Sequence, residues 1–178
     1  QEEIANLLEQ RDGLVGGICN GFQALVQLGL LPHGRITTIN EHDPLLDYNR
    51  KGRHISTVVR TRVSSTLSPW FSEYEVGQIH LLPISHGEGR FTADADTLKA
   101  LADGGRIASQ YVDEQGHAAP FSIDNPNGSL YAVEALSSAD GKVFGRMAHS
   151  ERAIKKLYRN VPVEADCGLF MGAANYVR

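Results

Sequence analysis

Residues 16–31 read GGICNGFQALVQLGLL, and the fold turns on how the first half of this stretch meets the second. Leu14 to Ile18 is a short apolar run with two glycines, which predicts a strand. Phe22 to Leu31 has helical spacing and stops at Pro32. Cys19 therefore falls at a strand-to-helix turn. Such a turn is sharp and takes only small residues against it, which fits Gly17 and Gly21 placed two before and two after the cysteine. It lifts the side chain out of the sheet, sets it over a helix N-terminus that favours a thiolate, and aims the backbone N–H of Asn20 where an oxyanion would form. A glycine-flanked core cysteine beside an ordinary turn has the same local pattern, and this segment alone leaves both readings open.

The rest of the chain supplies a sheet for that strand. Ile4, Leu7 and Leu8 share a helical face, with Gly13 as a stop. Ile55, Thr57, Val59, Thr61 and Val63 alternate with polar or basic neighbours, as in a strand with one wet face. Gln78 to Ser85 predicts a second strand leading into a glycine-rich loop, HGEGRF. Asp94 is placed to cap a helix running through Leu101, which Gly104 and Gly105 would end. Arg106 to Val112 and Leu130 to Leu136 predict strands separated by the turn-forming run NPNGS, residues 125–129. After an Asp140–Gly141 turn comes the strand KVFGRMA, and the last residues return to helical spacing. With no repeats or low-complexity linker, residues 1–178 are expected to form one α/β domain with antiparallel additions.

Composition narrows the function classes. Hydrophobic residues at 42% and charged residues at 21% are those of a folded globular protein. A net charge of −4 without any Lys/Arg block gives no electrostatic footing for nucleic acid or an anionic membrane. No apolar run approaches the roughly 20 residues needed to span a bilayer, and QEEIANLLEQ lacks a secretory pattern, so the chain is expected to be cytoplasmic. Two cysteines make neither a zinc site nor a disulfide scaffold. Cys167, in EADCGLFMGAANYV, is read as a packing residue of the C-terminal helix.

A cysteine acting on an amide needs a base to take its proton and later protonate the leaving amine. His149 follows the apolar strand ending at Ala148, and strand ends are where sites in open α/β sheets collect. Glu151, two residues on, is spaced to hold the ring in one tautomer. His33, His42, His54, His80 and His117 lack this setting and are read as surface or hydrogen-bonded residues. His86 with Glu88 hints at a metal pair but has no third ligand at a useful spacing, so no metal is expected.

Taken together these motifs become specific. GICNGFQ resembles the G-x-C-x-G-x-Q nucleophile motif of class I, triad-type glutamine amidotransferases, and His149 with Glu151 matches their H-x-E. The asparagine after the cysteine, SHGEGRF, NPNGS and GRMAHSERA resemble the glutaminase domains of phosphoribosylformylglycinamidine synthases, from Gly16 to Arg152. The tail LYRNVPVEAD is similar to the C-terminal domain of their large single-chain forms. The resemblance implies a flavodoxin-like α/β fold with a central, mostly parallel sheet. It implies Cys19 as nucleophile, His149 as proton shuttle and Glu151 as its support. Glutamine would be held by the Asn20 backbone, Gln23, and the backbone of Ser85, His86 and Gly87, leaving the His86 and Glu88 side chains for domain contact. Asn125 and Asn127 would lie near the site or simply serve the turn. No cofactor is implied for this chain; ATP and Mg²⁺ belong to a partner synthetase domain or subunit that takes up the ammonia. One departure stands out. The family carries further strands and a glycine-rich loop ahead of the nucleophile strand, so the amidotransferase domain is expected to be incomplete at its N-terminus and to need that missing segment beside Leu14 to Ile18. Two other readings keep the fold: a DJ-1/PfpI-like cysteine hydrolase, where histidine usually follows the cysteine, and an inactive regulatory amidotransferase-like module.

Overall fold

The structure is a computed structural model and describes residues 2–178. An N-terminal helical segment, α1 (Glu2–Ala5) continued by a π-helical turn (Asn6–Gln10), buries Leu8 and ends at Arg11. β1 (Val15–Ile18) follows and turns at Cys19 into α2 (Asn20–Gln27). The expected single helix to Leu31 is corrected: Gly29, at φ +73°, breaks it, and the irregular α3 (Leu30–His33) contains Pro32 instead of being stopped by it. The apolar period survives this break because Leu25, Val26, Leu30 and Leu31 are buried on both sides of it. A loop leads to β2 (Leu45–Tyr48), β3 (Ile55–Val63) and β4 (Ile79–His86).

The glycine-rich loop after β4 shrinks to Gly87. Glu88–Thr92 forms β5, paired with β2 in a small antiparallel sheet, because Gly89 and Phe91 point inward while Glu88 and Arg90 stay wetter. α4 (Ala95–Asp103) begins where expected, its Asp94 side chain accepting from the Thr97 N–H at 2.7 Å, and Gly104 is its C-cap. β6 (Ile107–Tyr111), β7 (Val133–Ser137) and β8 (Val143–Arg146) are buried along their whole length. The Leu130–Leu136 strand is shortened, its first three residues forming a 3-10 turn (Leu130–Ala132). α5 (Gly168–Tyr176) ends the chain. Its buried residues are Leu169 and Gly172, while Cys167 is an exposed residue at the helix start and not the packing residue expected.

The main sheet runs β1-β8-β7-β6-β3-β4. β1 pairs with β8 in parallel, and the other four pairings are antiparallel. The α/β class holds, with the antiparallel share larger than expected, since short connections such as the turn between β7 and β8 can join only antiparallel neighbours. Side chains on one sheet face, among them Ile107, Leu136 and Val143, pack with Phe22, Leu25 and Leu30 of α2 and α3 and with Leu101 of α4. The opposite face, with Ala108, Ala135 and Phe144, packs against Phe71 and Leu169.

Candidate active site

β1 and β8 lie side by side in parallel, with Ile18 opposite Arg146, so the residues that follow them leave the sheet at the same end. Cys19 leaves β1 and His149 leaves β8. The turn at Cys19 holds φ 54° and ψ −109°, outside the ordinary regions for a residue with a side chain, and strain of this kind gathers at functional turns. Two bonds hold it there. The Cys19 N–H donates to the Arg146 carbonyl at 2.8 Å, and the Cys19 carbonyl accepts the Gln23 N–H at 3.2 Å. Of the two flanking glycines, Gly17 is the one that needs to be small: a Cβ on it would lie 2.6 Å from the Gly21 carbonyl, whereas one on Gly21 would meet open space.

His149 is buried, and its N–H donates to the Pro83 carbonyl of β4 at 2.9 Å. Its Nδ1 lies 2.6 Å from Glu151 Oε1, so the neutral ring carries its proton on Nδ1 and presents a bare Nε2, which has no hydrogen-bond partner. Arg152 lies 3.5 Å from the same carboxylate oxygen. The Cys19 thiol is directed at the Ser85 carbonyl, 3.7 Å away, and not at His149. Burial pushes this thiol up from its ordinary range, opposed by the Asn20 backbone N–H and the Arg152 charge. The Asn20 N–H at the helix start thus opposes the effect of burial on the thiol without outweighing it.

Cys19, Gln23, His86, Gly87 and Glu88 line one open pocket of about 230 Å³. His149, Glu151 and Ser85 stand outside its lining. The Gln23 side-chain amide donates to the Glu88 carbonyl at 2.8 Å and so ties α2 to the turn between β4 and β5. The Ser85 hydroxyl pairs with His54 Nε2 at 3.1 Å. His86 is buried, which corrects the expectation that its side chain serves domain contact; Glu88 is exposed. Asn49 was not among the residues that the sequence pattern singled out. Its side-chain amide donates to the His86 carbonyl at 2.7 Å, its N–H donates to the Gly87 carbonyl at 3.0 Å, and its Oδ1 accepts from His86 Nδ1 at 3.0 Å. Asn125 and Asn127 are structural: both are buried, with Asn125 bonded to the Ala119 and Ser129 carbonyls and Asn127 to the Gly89 carbonyl. Among the described residues no three potential metal ligands converge. No helix is long and apolar enough to cross a membrane.

A strained cysteine in an open pocket, with a buried histidine bonded to an exposed glutamate at the same end of the sheet, is an arrangement suited to acyl transfer through a thioester. The chain is similar to phosphoribosylformylglycinamidine synthase subunit PurQ of Synechocystis sp., at 42% identity over 80% of this chain and 58% of that protein. It is similar to the subunit of the same name from Acaryochloris marina, at 41% over 79% and 54%, and from Synechococcus elongatus, at 38% over 90% and 61%. It therefore spans little more than half the length of the curated relatives it matches. A solved structure titled "Structure of PurLQS from Thermotoga maritima" matches 99% of this chain and 68% of that one with a TM-score of 0.72 at 28% identity, which fits the flavodoxin-like class I fold. The sequence family described as the CobB/CobQ-like glutamine amidotransferase domain covers residues 1–177, and the chain belongs to this glutamine amidotransferase family.

Proposed function

We propose that the chain is the glutaminase part of a phosphoribosylformylglycinamidine synthase. The observation that supports this most directly is the parallel β1–β8 pair, which delivers Cys19 and the His149–Glu151 pair to one end of the sheet. Cys19 Sγ attacks the carboxamide carbon of glutamine while His149 Nε2 takes the thiol proton. The same proton passes to the nitrogen as the C–N bond breaks, releasing ammonia and leaving a glutamyl thioester. Water, deprotonated by His149, hydrolyses the thioester to glutamate. Glu151 supports the imidazolium formed in each half. The Asn20 N–H faces the developing oxyanion, and Gln23 with the Ser85, His86 and Gly87 backbone receives the amino-acid end of glutamine.

Ammonia then passes to an ATP- and Mg²⁺-dependent synthetase partner, where it replaces the amide oxygen of formylglycinamide ribonucleotide in cytoplasmic purine synthesis. The residues 1–178 amidotransferase domain is completed by a further segment of its own polypeptide beside β1, whose outer edge is unpaired among the described residues. The finer proposal, that this is the C-terminal domain of a large single-chain synthase, rests on the tail resemblance alone. A natural polypeptide of subunit size would overturn it.

The decisive experiment is Cys19→Ala in the complete synthase. Glutamine-dependent synthesis is expected to fall by several orders of magnitude while synthesis from free ammonia stays near the parent level. Loss of both activities together, in folded enzyme, overturns the role of Cys19. A glutamine-analogue electrophile such as diazo-oxo-norleucine should label Cys19. Failure to label it in the complete protein would favour a hydrolase with no affinity for the amino-acid end.

A further inference from the structure

Directly beneath the site, the main sheet buries two opposite charges that the proposed chemistry does not use. Glu134 of β7 and Arg146 of β8 are 0% and 2% exposed. Arg146 Nε and Nη2 donate to the two Glu134 oxygens at 3.2 and 3.0 Å, a two-point fork, and the Ser109 hydroxyl also donates to Glu134. Such pairs are costly to desolvate, and an apolar pair of similar volume packs a core as well or better. Their remaining bonds give them a different use. Glu134 Oε1 accepts the Ala148 N–H at 2.8 Å, on one side of His149. Arg146 Nη1 donates to the Ser150 hydroxyl at 2.8 Å, on the other side. The Arg146 carbonyl accepts the Cys19 N–H at 2.8 Å.

The geometry points to Glu134 and Arg146 as positioning residues that fix the His149 base relative to the Cys19 nucleophile, holding Ala148 and Ser150 with their side chains and Cys19 with the Arg146 backbone. The inference rests on the proposed glutaminase reaction. The His149 ring is tied through Nδ1 to Glu151 and its Nε2 has no hydrogen bond, so the place of the base rests on that carboxylate and on the backbone on either side. Residues 148–150 leave β8 after Arg146; besides the His149 N–H bond to Pro83, the His149–Glu151 bond and the local turn bonds from the Arg152 and Ala153 N–H groups, their anchors run to this pair. Asp166, 3.7 Å from Arg146 Nη1 and bonded to the Tyr74 hydroxyl, closes the far side and keeps the guanidinium from turning away.

Glu134→Gln is the direct variant, yet it leaves Arg146 under-compensated in the core and is liable not to fold. Ser150→Ala removes one bond and uncovers no charge. In the synthase complex, Ser150→Ala is expected to lower kcat about tenfold or more with KM for glutamine unchanged, as a small displacement of a base does. Alkylation of Cys19 by iodoacetamide, followed by peptide mass, is expected to shift its pH profile upward as the thiol loses its base, with the melting temperature close to the parent. A parent-like kcat and alkylation profile would overturn the inference, as would a lowered melting temperature with both readouts unchanged. If the parent complex hydrolyses no glutamine, the proposed function fails on its own. The alkylation profile needs no glutamine and still reports whether Ser150 couples Cys19 to His149.

Discussion

His86 shows how a residue that looks like surface chemistry is turned into structure. Asn49 donates both side-chain bonds to carbonyls, those of Arg53 and His86, so its Oδ1 is the acceptor and His86 Nδ1 the donor. The ring is then neutral with a bare, buried Nε2, and adding a second proton creates a donor with no acceptor. Burial, with the nearby His54 and His149, lowers its pKa from 6.5 to about 4. The unfolded chain therefore binds a proton more readily between those values, so this contribution to stability is complete above about pH 6.5 and is lost as pH falls toward 4. By about pH 5 the loss amounts to about 2 kcal/mol, with His80, also depressed by burial, acting in the same direction. Urea unfolding at about pH 7.5 and about pH 5 checks it: His86→Gln should show a pH dependence smaller by about 2 kcal/mol, and an unchanged dependence would remove His86 as the cause. The His149–Glu151 pair was legible because its members are two residues apart just beyond a strand, and Cys19 because it follows directly on a strand. The sequence could not carry His86 or Asn49, whose pairing joins residues 37 positions apart.

At the scale of elements, legibility follows the range of the forces involved. The start of α4 was legible because an N-cap is a contact over three residues. Asp94→Ala should cost about 1 kcal/mol, measurable as a shift in denaturation midpoint at constant slope. The Gly87–Thr92 stretch was not legible as a strand, because β5 exists only by pairing with β2, and nothing within HGEGRF announces that partner. The elbow between β1 and α2 was legible in outline but not in which glycine matters. Gly17→Ala would press a methyl against the fixed backbone of Gly21, so a loss of about 1–3 kcal/mol is expected, together with displacement of Cys19. Gly21→Ala meets no obstacle inside a helix and should raise stability by up to about 1 kcal/mol. Equal destabilisation by the two variants, in parallel thermal melts, would show that the elbow is crowded on both sides.

At the scale of the whole molecule, the sheet is covered on both faces, which accounts for the fully buried strands β6, β7 and β8 and for how easily their apolar runs could be read. Strand order was largely beyond such reading: it depends on which buried runs meet, and the short Asp140–Gly141 turn was the local sign that β7 and β8 are neighbours. The order leaves β1 at an edge, and the consequence can be followed to individual amides. In a parallel ladder, alternate residues face the same neighbour; the Val15 N–H donates to Lys142 and the Cys19 N–H to Arg146, so the N–H groups of Gly16 and Ile18 face away from β8. Gly16 is exposed, with the Trp70 ring packed against its face. An unpaired edge next to a strained nucleophile is a liability unless something covers it, and the proposed segment beside β1 would do so. Hydrogen exchange distinguishes the two states. In residues 1–178 alone, the amides of Gly16 and Ile18 should exchange about 10²-fold or more faster than those of Val15 and Cys19, and in the complete synthase all four should be slow. Equal protection of the four amides in the isolated chain would mean that β1 finds a second partner within these residues, and the need for another segment at this edge would disappear.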